Sequence, residues 1–165
     1  MVFDCDSIFT KNPELSTCLR AITPTSNTEA IGNLWRGIFT AIFTLDERFA
    51  VEKKSPNGAT PCFHIIQKKG GREKSIVVAL CHPGSGTHEQ WDGVYRQLIS
   101  HCNHQSSTVY AVTAIGTKVR LWKYYRDQRL RPMPNAEYDL QEELQCCQVE
   151  QFLGFFQNNG WDELP

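Results

Sequence analysis

The sequence predicts a mixed α/β domain in which one β-sheet is flanked by helices. Three observations support this fold class: segments with helical periodicity, short runs rich in β-branched residues, and the order in which the two kinds follow each other. That order is helix, strand, strand, strand, helix, strand, strand, helix. Because the second helix lies between the third and fourth strands, it allows a crossover that returns the chain to a parallel fourth strand.

The first long helix is predicted for residues 26–44, capped by one of the polar residues 26–28. Its apolar residues form one broad stripe, which indicates a largely buried helix. They are Ile31, Leu34, Trp35, Ile38, Phe39, Ile42 and Phe43. A short first strand follows at residues 48–52, and the polar stretch 53–60, with its Asn-Gly pair, is predicted to be a turn.

A second amphipathic helix is predicted to begin at Thr87, where Thr-His-Glu-Gln has the pattern of a capping box. Its apolar residues recur at helical spacing and are Trp91, Val94, Tyr95, Leu98, Ile99 and Cys102. A β-branched run at residues 108–115, a glycine turn and an alternating pattern at residues 118–125 predict a last hairpin. Residues 126–135 are predicted to be a loop, and the final helix is predicted for residues 149–157.

Length and composition indicate one globular domain whose surface has no strong overall charge. The chain has 165 residues, enough to bury a sizeable core, and its formal net charge of −1 gives no global positive field for nucleic acid or anionic membranes. We expect residues 1–25 to be a leader or lid, residues 28–126 to be the core, and residues 127–165 to be a loop and the C-terminal helix. No apolar run resembles a membrane span or a signal peptide.

The seven cysteines favour a reducing compartment. Their number is odd, and their positions show no repeated short spacing of the zinc-finger type. We therefore predict free thiols, a cytoplasmic location, no bound metal and no cofactor. The sequence makes no prediction of the oligomeric state.

Residues 61–83 carry the side chains that are most suited to catalysis or metal binding. Two apolar runs flank a basic Lys-Lys-Gly-Gly turn and predict a β-hairpin. Since side chains alternate along a strand, Cys62 and His64 share one face of the first strand. Ala79 and Cys81 share one face of the second strand for the same reason. If those two faces coincide, two thiols and an imidazole converge beside an alanine.

The order of elements and several local strings resemble the restriction-endonuclease-like, PD-(D/E)XK superfamily, especially its fungal domains. Residues 61–63, Pro-Cys-Phe, stand where those domains carry Pro-Asp-Phe. Residues 76–83 stand where they carry an apolar run, Glu-x-Lys and a proline. Residues 97–98 match a frequent helical Gln-Leu, and residues 110–120 resemble the last hairpin. The resemblance covers residues 28–126 and implies a nuclease-like core.

The same resemblance implies that the chain has lost metal-dependent cleavage. In active members, the Asp and Glu hold divalent metal ions through oxygen ligands, and the Lys orients or stabilises the attacking water. Here those positions hold Cys62, Ala79 and Cys81. Thiolates are soft ligands that suit zinc rather than magnesium, and alanine binds no metal. We therefore predict that the chain does not cleave DNA by this mechanism.

The leading hypothesis is that the vacated cleft binds a small organic molecule. Replacing three polar groups by cysteines and alanine makes the cleft more apolar, as small ligands prefer. Such a domain could be a cofactor-independent cyclase or isomerase of specialised metabolism that acts by shape and orientation. The predicted catalytic residues are His64, Cys62, Cys81 and His82. The predicted ligand-binding residues are Ala79, Phe63, Trp35, Trp91 and Tyr95.

Three alternatives remain open. The domain could be a non-catalytic module that binds protein or nucleic acid through local positive surface, with these candidate residues: Lys68, Lys69, Lys118 and Arg120. Cys62 and Cys81 could form a redox pair, or a cysteine could act as a nucleophile activated by His64. Zinc could bind through Cys62, Cys81 and a histidine, although no CxxC spacing supports it. The remaining histidines are predicted to be solvated: His88, His101 and His104.

Overall fold

The computed structural model of the protein describes residues 6–44, 48–55, 60–103, 105, 108–127, 129–134 and 137–161. Within those residues the helices are α1 (Ile8–Lys11), α2 (Pro13–Ala21), α3 (Thr28–Ile42), α4 (His88–Cys102) and α5 (Glu143–Asn159). The strands are β1 (Phe49–Lys53), β2 (Cys62–Lys69), β3 (Arg72–His82), β4 (Val109–Ile115), β5 (Lys118–Tyr125), β6 (Arg129–Pro132) and β7 (Tyr138–Asp139).

The strands form one mixed sheet in the order β1-β2-β3-β4-β5-β6, and β7 pairs with the beginning of β5. All paired strands are antiparallel except β3 and β4, which are parallel. Helix α4 connects these two strands, because a parallel pair needs a crossover rather than a tight turn. The predicted fold class and the predicted crossover are therefore confirmed.

The sheet separates two hydrophobic cores. Helices α3 and α5, with α1 and α2 packed beside α3, cover what we call the α3 face. Helix α4 covers the other side, the α4 face. Alternation along β4 shows the division, since Tyr110 and Val112 belong to the first core and Ala111 to the second. None of the helices among the described residues has both the length and the apolar character needed to cross a membrane.

Local sequence determines where the two predicted long helices begin. The side chain of Asn27 accepts a hydrogen bond from the backbone N–H of Ala30 and caps α3. Thr87 and Gln90 form the predicted capping box at the start of α4. Gly70, with a φ of 59°, lies in the turn between β2 and β3, where a left-handed backbone favours glycine.

The N-terminal leader is more ordered than the sequence pattern suggests. Instead of a single helical turn it holds α1 and α2, and the side chain of Asn12 accepts a hydrogen bond from the N–H of Leu15 to cap α2. Leu15 and Leu19 join the core of the α3 face. Glu150 of α5 accepts a hydrogen bond from the hydroxyl of Ser7 at 2.5 Å, which ties the leader to the C-terminal helix.

Two elements after residue 126 differ from the prediction. Residues 129–132 form β6 rather than part of a loop, because they pair with the edge that β5 would otherwise leave open. Helix α5 begins at Glu143 rather than near Val149, since the buried Cys146 and Cys147 extend its apolar side toward the N-terminus. The predicted Asn-Gly turn at residues 57–58 lies outside the described residues.

The cysteines depart in part from the prediction of free thiols. The free cysteines among the described residues are Cys18, Cys62, Cys81, Cys102 and Cys146. Cys147 is disulfide-bonded, so the prediction is wrong for this residue. Odd cysteine counts and spacing cannot identify such a bond, because pairing depends on the distance between the two side chains in the folded chain.

Candidate functional site

The hairpin of β2 and β3 does not bring together Cys62 and Cys81, the two cysteines predicted to be catalytic. Phe63 lies opposite Ala79, and Cys62 lies opposite Leu80. Because directly paired residues point to the same face, Cys62 belongs to the core under α4 and Cys81 to the core under α3. The two faces therefore do not coincide, and the redox pair and the zinc site that need both cysteines have no geometric support.

The positions that match the nuclease motif lie in the interior of the domain. The residues there are each 0% exposed: Cys62, Ala79 and Cys81. On the α3 face, the predicted ligand-binding residues Trp35 and Phe63 are also buried, and both rings contact the ring of Phe39. These side chains pack as core, and neither Trp35 nor Phe63 lines any of the three cavities described below.

Cys62 instead joins two histidines on the α4 face. Its Sγ lies 3.6 Å from Nδ1 of His101, in the last turn of α4. His64 shares the face of Cys62 on β2 and completes what we call the Cys–His cluster, in which one ligand atom of each residue lies within 4.8 Å of the others. Cys62 is buried and both histidines are half-buried, so the cluster lies at the rim of the core. On β3, the hydroxyl of Ser75 lies 3.3 Å from Nδ1 of His64.

Burial controls the ionisation of these groups. It raises the pKa of Cys62 to about 12, so the thiol stays protonated at neutral pH in the absence of a metal ion. Burial also lowers the pKa of His64 to about 4, with Lys54 and His101 adding to the decrease and Glu52 opposing it. His64 is therefore a neutral imidazole, and a protonated thiol beside it is a poor nucleophile.

The other two predicted catalytic residues lie elsewhere. Burial raises the pKa of the fully buried Cys81 well above its ordinary value, and Cys62 adds to the increase. His82, at the end of β3, contacts the carbonyl oxygen of Pro83 through Nδ1. It lines a cavity of about 270 Å³ that it shares with the first turns of α4. Only Cys62 and His64, of the four predicted catalytic residues, lie together.

An open cleft lies between α4 and β5. It has a volume of about 230 Å³, and we call it the aromatic cleft; its lining residues are Trp91, Asp92, Tyr95, Thr113, Arg120 and Trp122. The ring centroids of Tyr95 and Trp122 are 5.3 Å apart. The guanidinium of Arg120 lies 4.0 Å from the ring centroid of Trp91. The cleft therefore brings together two of the five predicted ligand-binding residues, Trp91 and Tyr95.

Hydrogen bonds hold the walls of the aromatic cleft. Nε1 of Trp122 donates to the hydroxyl of Thr113 at 2.9 Å. Nε and Nη2 of Arg120 donate to the same carboxylate oxygen of Glu137, at 3.2 and 3.1 Å. Because Glu137 compensates this charge, the cleft presents flat ring surfaces rather than an unpaired positive charge.

A third cavity, of about 200 Å³, lies where the β3–α4 connection meets the β4–β5 turn. Most of its lining residues are polar or small, and Ile22 and Ile115 are its large apolar members. It contains none of the predicted ligand-binding residues and no aromatic ring. The aromatic cleft is therefore the better candidate for an organic ligand.

The four basic residues considered for nucleic acid do not form one patch. Lys68 and Lys69 lie at the turn before β3. Lys118 and Arg120 lie toward the opposite end of the sheet, because the start of β5 pairs with the end of β4, which runs parallel to β3. β3 has 11 residues, so its ends are about 33 Å apart. This arrangement does not favour a single nucleic-acid surface built from these residues.

His101 and Trp122 take roles that the sequence pattern does not predict, although Trp122 stands among the aromatics interleaved with the basic residues considered for nucleic acid. The sequence predicts a solvated His101, whereas the structure places it half-buried beside Cys62. A signal is present, since His101 follows the buried Val94 and Leu98 at spacings that share one side of a helix. His88, by contrast, is solvated, with a side chain that is 92% exposed. The prediction for His104 lies outside the described residues.

Comparison of the chain with known protein families, with curated proteins and with solved structures finds no match. The resemblance to the PD-(D/E)XK superfamily therefore stays a prediction. The geometry of the aromatic cleft and of the Cys–His cluster provides the basis for a functional proposal.

Proposed function

We propose that the protein is a nuclease-fold domain that has lost metal-dependent cleavage and binds a small planar organic molecule in the aromatic cleft. The observation that carries this proposal is the meeting of three aromatic side chains at one open site, namely Trp91, Tyr95 and Trp122. Concave sites with aromatic walls and a few polar groups are typical of small-molecule binding.

One feature supports the nuclease-like core of this proposal, and a second supports the loss of cleavage. Helix α3, strands β1 to β3, helix α4 and strand β4 follow one another in the order of the nuclease core. The side chains at the three motif positions are buried and offer no oxygen ligand for magnesium. DNA cleavage by this mechanism requires an open, oxygen-lined metal site, and these positions provide neither property.

The shape and charge of the cleft favour a small, flat and neutral ligand. Its volume of about 230 Å³ is below the roughly 300–1,000 Å³ typical of drug-sized ligands. Tyr95 and Trp122, whose rings contact each other at an angle of 58°, form an aromatic wall against which a flat ring can pack, and Asp92 offers a hydrogen-bond acceptor. An anionic ligand would compete with Glu137 for Arg120, so it should bind more weakly than a neutral one.

Turnover as a cyclase or isomerase of specialised metabolism remains part of the proposal, with a different acid–base group. None of the four residues first predicted to be catalytic lines the aromatic cleft. Asp92 does, and its side chain is 56% exposed. Its carboxylate would act as the acid or base in a reaction that otherwise depends on orientation of the ligand.

We also propose a cytoplasmic location, supported by the five free cysteines in the described part of the chain. The disulfide at Cys147 weighs against it, because disulfides are rare in reducing compartments. Counting free thiols in denatured, unreduced protein taken from its natural cells tests the location. Seven free thiols would support it, and a persistent disulfide would contradict it.

Fragment binding measured by ligand-observed NMR tests the proposed ligand site. Indole and 2-naphthol are expected to bind the wild-type protein, with benzoate weaker because of Glu137. Trp122→Ala and Tyr95→Ala should each weaken binding by about tenfold or more, since losing one stacking surface costs about 1.4 kcal/mol.

Tyr125→Ala is the matched control, because Tyr125 lies on the same strand as Trp122 but contacts Lys123 and Arg131 outside the cleft. It should leave fragment binding unchanged. Failure of all three fragments to bind, or equal losses in Trp122→Ala and Tyr125→Ala, would contradict the proposal.

A further inference from the structure

We propose that the Cys–His cluster is a zinc site in which Cys62, His64 and His101 supply three protein ligands. A thiolate and two neutral imidazoles form a ligand set that binds zinc in preference to magnesium or calcium. The aromatic cleft does not include any of these residues. The inference is therefore independent of the proposed small-molecule function.

The distance between Cys62 and His101 fits a shared zinc ion. For a tetrahedral ion with a Zn–S distance of about 2.3 Å and a Zn–N distance of about 2.05 Å, the sulfur and nitrogen ligands lie about 3.6 Å apart. Sγ of Cys62 and Nδ1 of His101 are 3.6 Å apart. The ligand atoms of all three residues lie within 4.8 Å of one another, so a small rotation of His64 would complete the set.

Local structure prepares the three side chains for this role. Cys62 and His64 alternate along β2 and therefore point to the same face, toward the last turn of α4. Ser75 contacts Nδ1 of His64 at 3.3 Å, which leaves Nε2 as the ring nitrogen available to an ion. Such a contact fixes the orientation of a ligating imidazole in many metal sites.

A water molecule would supply the fourth ligand of such an ion. Both histidines are half-buried, so water can reach an ion that they hold. Glu52, opposite His64 on β1, forms an ion pair with Lys54 instead. Cys102, the last residue of α4, is buried in the same core but is not among the residues whose ligand atoms converge. Three protein ligands and one water is the arrangement of zinc sites that retain an open position.

Metal titration of the full chain tests this inference. After removal of metal by chelator, cobalt(II) and zinc are titrated into protein carrying Cys18→Ser, which removes the exposed thiol. One metal ion per chain is expected, with a cobalt–thiolate charge-transfer band and the d–d spectrum of tetrahedral coordination. His64→Gln and His101→Gln should weaken affinity by about 100-fold or more, since even the loss of an outer contact costs about 10–100-fold.

His88→Gln is the matched control on the same helix, because His88 is exposed and pairs with Asp92. It should bind metal like the parent, as should Cys102→Ser. Cys62→Ser should also lose metal binding. If the buried serine prevents folding, His101→Gln tests the same site in a folded protein. An unchanged cobalt spectrum in both histidine variants, or no metal binding by the folded parent at micromolar concentration, would overturn the inference and leave an ordinary Cys–His hydrogen bond.

Discussion

Phe63 lies directly opposite Ala79 in the antiparallel pair of β2 and β3, and both side chains are buried in the core under α3. This register places Cys62, on β2, and Cys81, on β3, in different cores. Ala79 therefore makes room for a phenylalanine ring rather than for a ligand.

Enlarging this alanine should affect stability. Ala79→Leu is expected to lower the free energy of unfolding by about 1–3 kcal/mol, because added carbons in a packed core force neighbours out of their rotamers. Urea unfolding measures the change, and fragment binding to the aromatic cleft should persist in the fraction that remains folded. Ala21→Leu, at the exposed end of α2, is the control and should have little effect. A stable Ala79→Leu variant that loses fragment binding would instead support a ligand pocket on the α3 face.

The cysteines should differ sharply in their reactivity toward a thiol reagent. Cys18 is exposed, whereas Cys81 is completely buried. Burial also raises the pKa of three further thiols to about 12, which lowers their thiolate fraction: Cys62, Cys102 and Cys146. Of the free thiols among the described residues, Cys18 should therefore react rapidly in the native metal-free protein and the other four slowly, as measured by mass spectrometry with time. Cys18→Ser should abolish that fast phase, and rapid native labelling of Cys81 would revive thiol chemistry as a function.

Two glycines with the same backbone conformation should respond differently to alanine. Gly70 has a φ of 59° and Gly116 a φ of 60°. A Cβ atom on Gly70 would meet open space, whereas one on Gly116 would lie 2.9 Å from the carbonyl oxygen of Gly84. Gly70→Ala should cost about 1–2 kcal/mol from the left-handed backbone alone. Gly116→Ala should cost about 1–3 kcal/mol more because of the clash. Equal unfolding midpoints would show that the two turns do not differ in this way.

Zinc should raise the thermal stability of the metal-free protein if the Cys–His cluster binds it. At a free zinc concentration 100-fold above Kd, the folded state gains about 2.7 kcal/mol. For a chain of this size that corresponds to an increase in Tm of about 5–11 °C. Thermal unfolding followed by circular dichroism measures the shift, with calcium as the metal control. His101→Gln should abolish the response, and a shift of equal size in that variant would place the zinc elsewhere.

Patterns that extend along one segment predicted most of the fold. The helical periodicity of α3 and α4, the β-branched run of β4 and the alternation along β5 are local properties, and these elements begin and end close to where the sequence places them. β6 is different, because its four residues become a strand only through pairing with β5. The two short helices of the leader also depend on a tertiary contact, the packing of Leu15 and Leu19 on α3.

The candidate sites were less predictable, because each requires a register or a docking geometry. Alternation showed that Cys62 and His64 share a face, but only the pairing of Phe63 with Ala79 separates Cys62 from Cys81. Tyr95 and Trp122 meet because α4 packs over β3 and β4, beside β5 in the sheet, and no local pattern specifies that contact. The sequence therefore suggested useful residue types but combined side chains from both faces of the sheet into one site.

The two outer strands of the sheet have a consequence for aggregation. β1 has only five residues and ends in Glu52 and Lys53. At the opposite edge, β6 carries two arginines and ends at Pro132, whose nitrogen has no hydrogen to donate. Short length, charge and proline at an edge oppose pairing with a strand from another molecule. Concentrated solutions of the folded domain should therefore resist amyloid formation, and a protein partner would have to recognise side chains on the helical layers rather than extend the sheet.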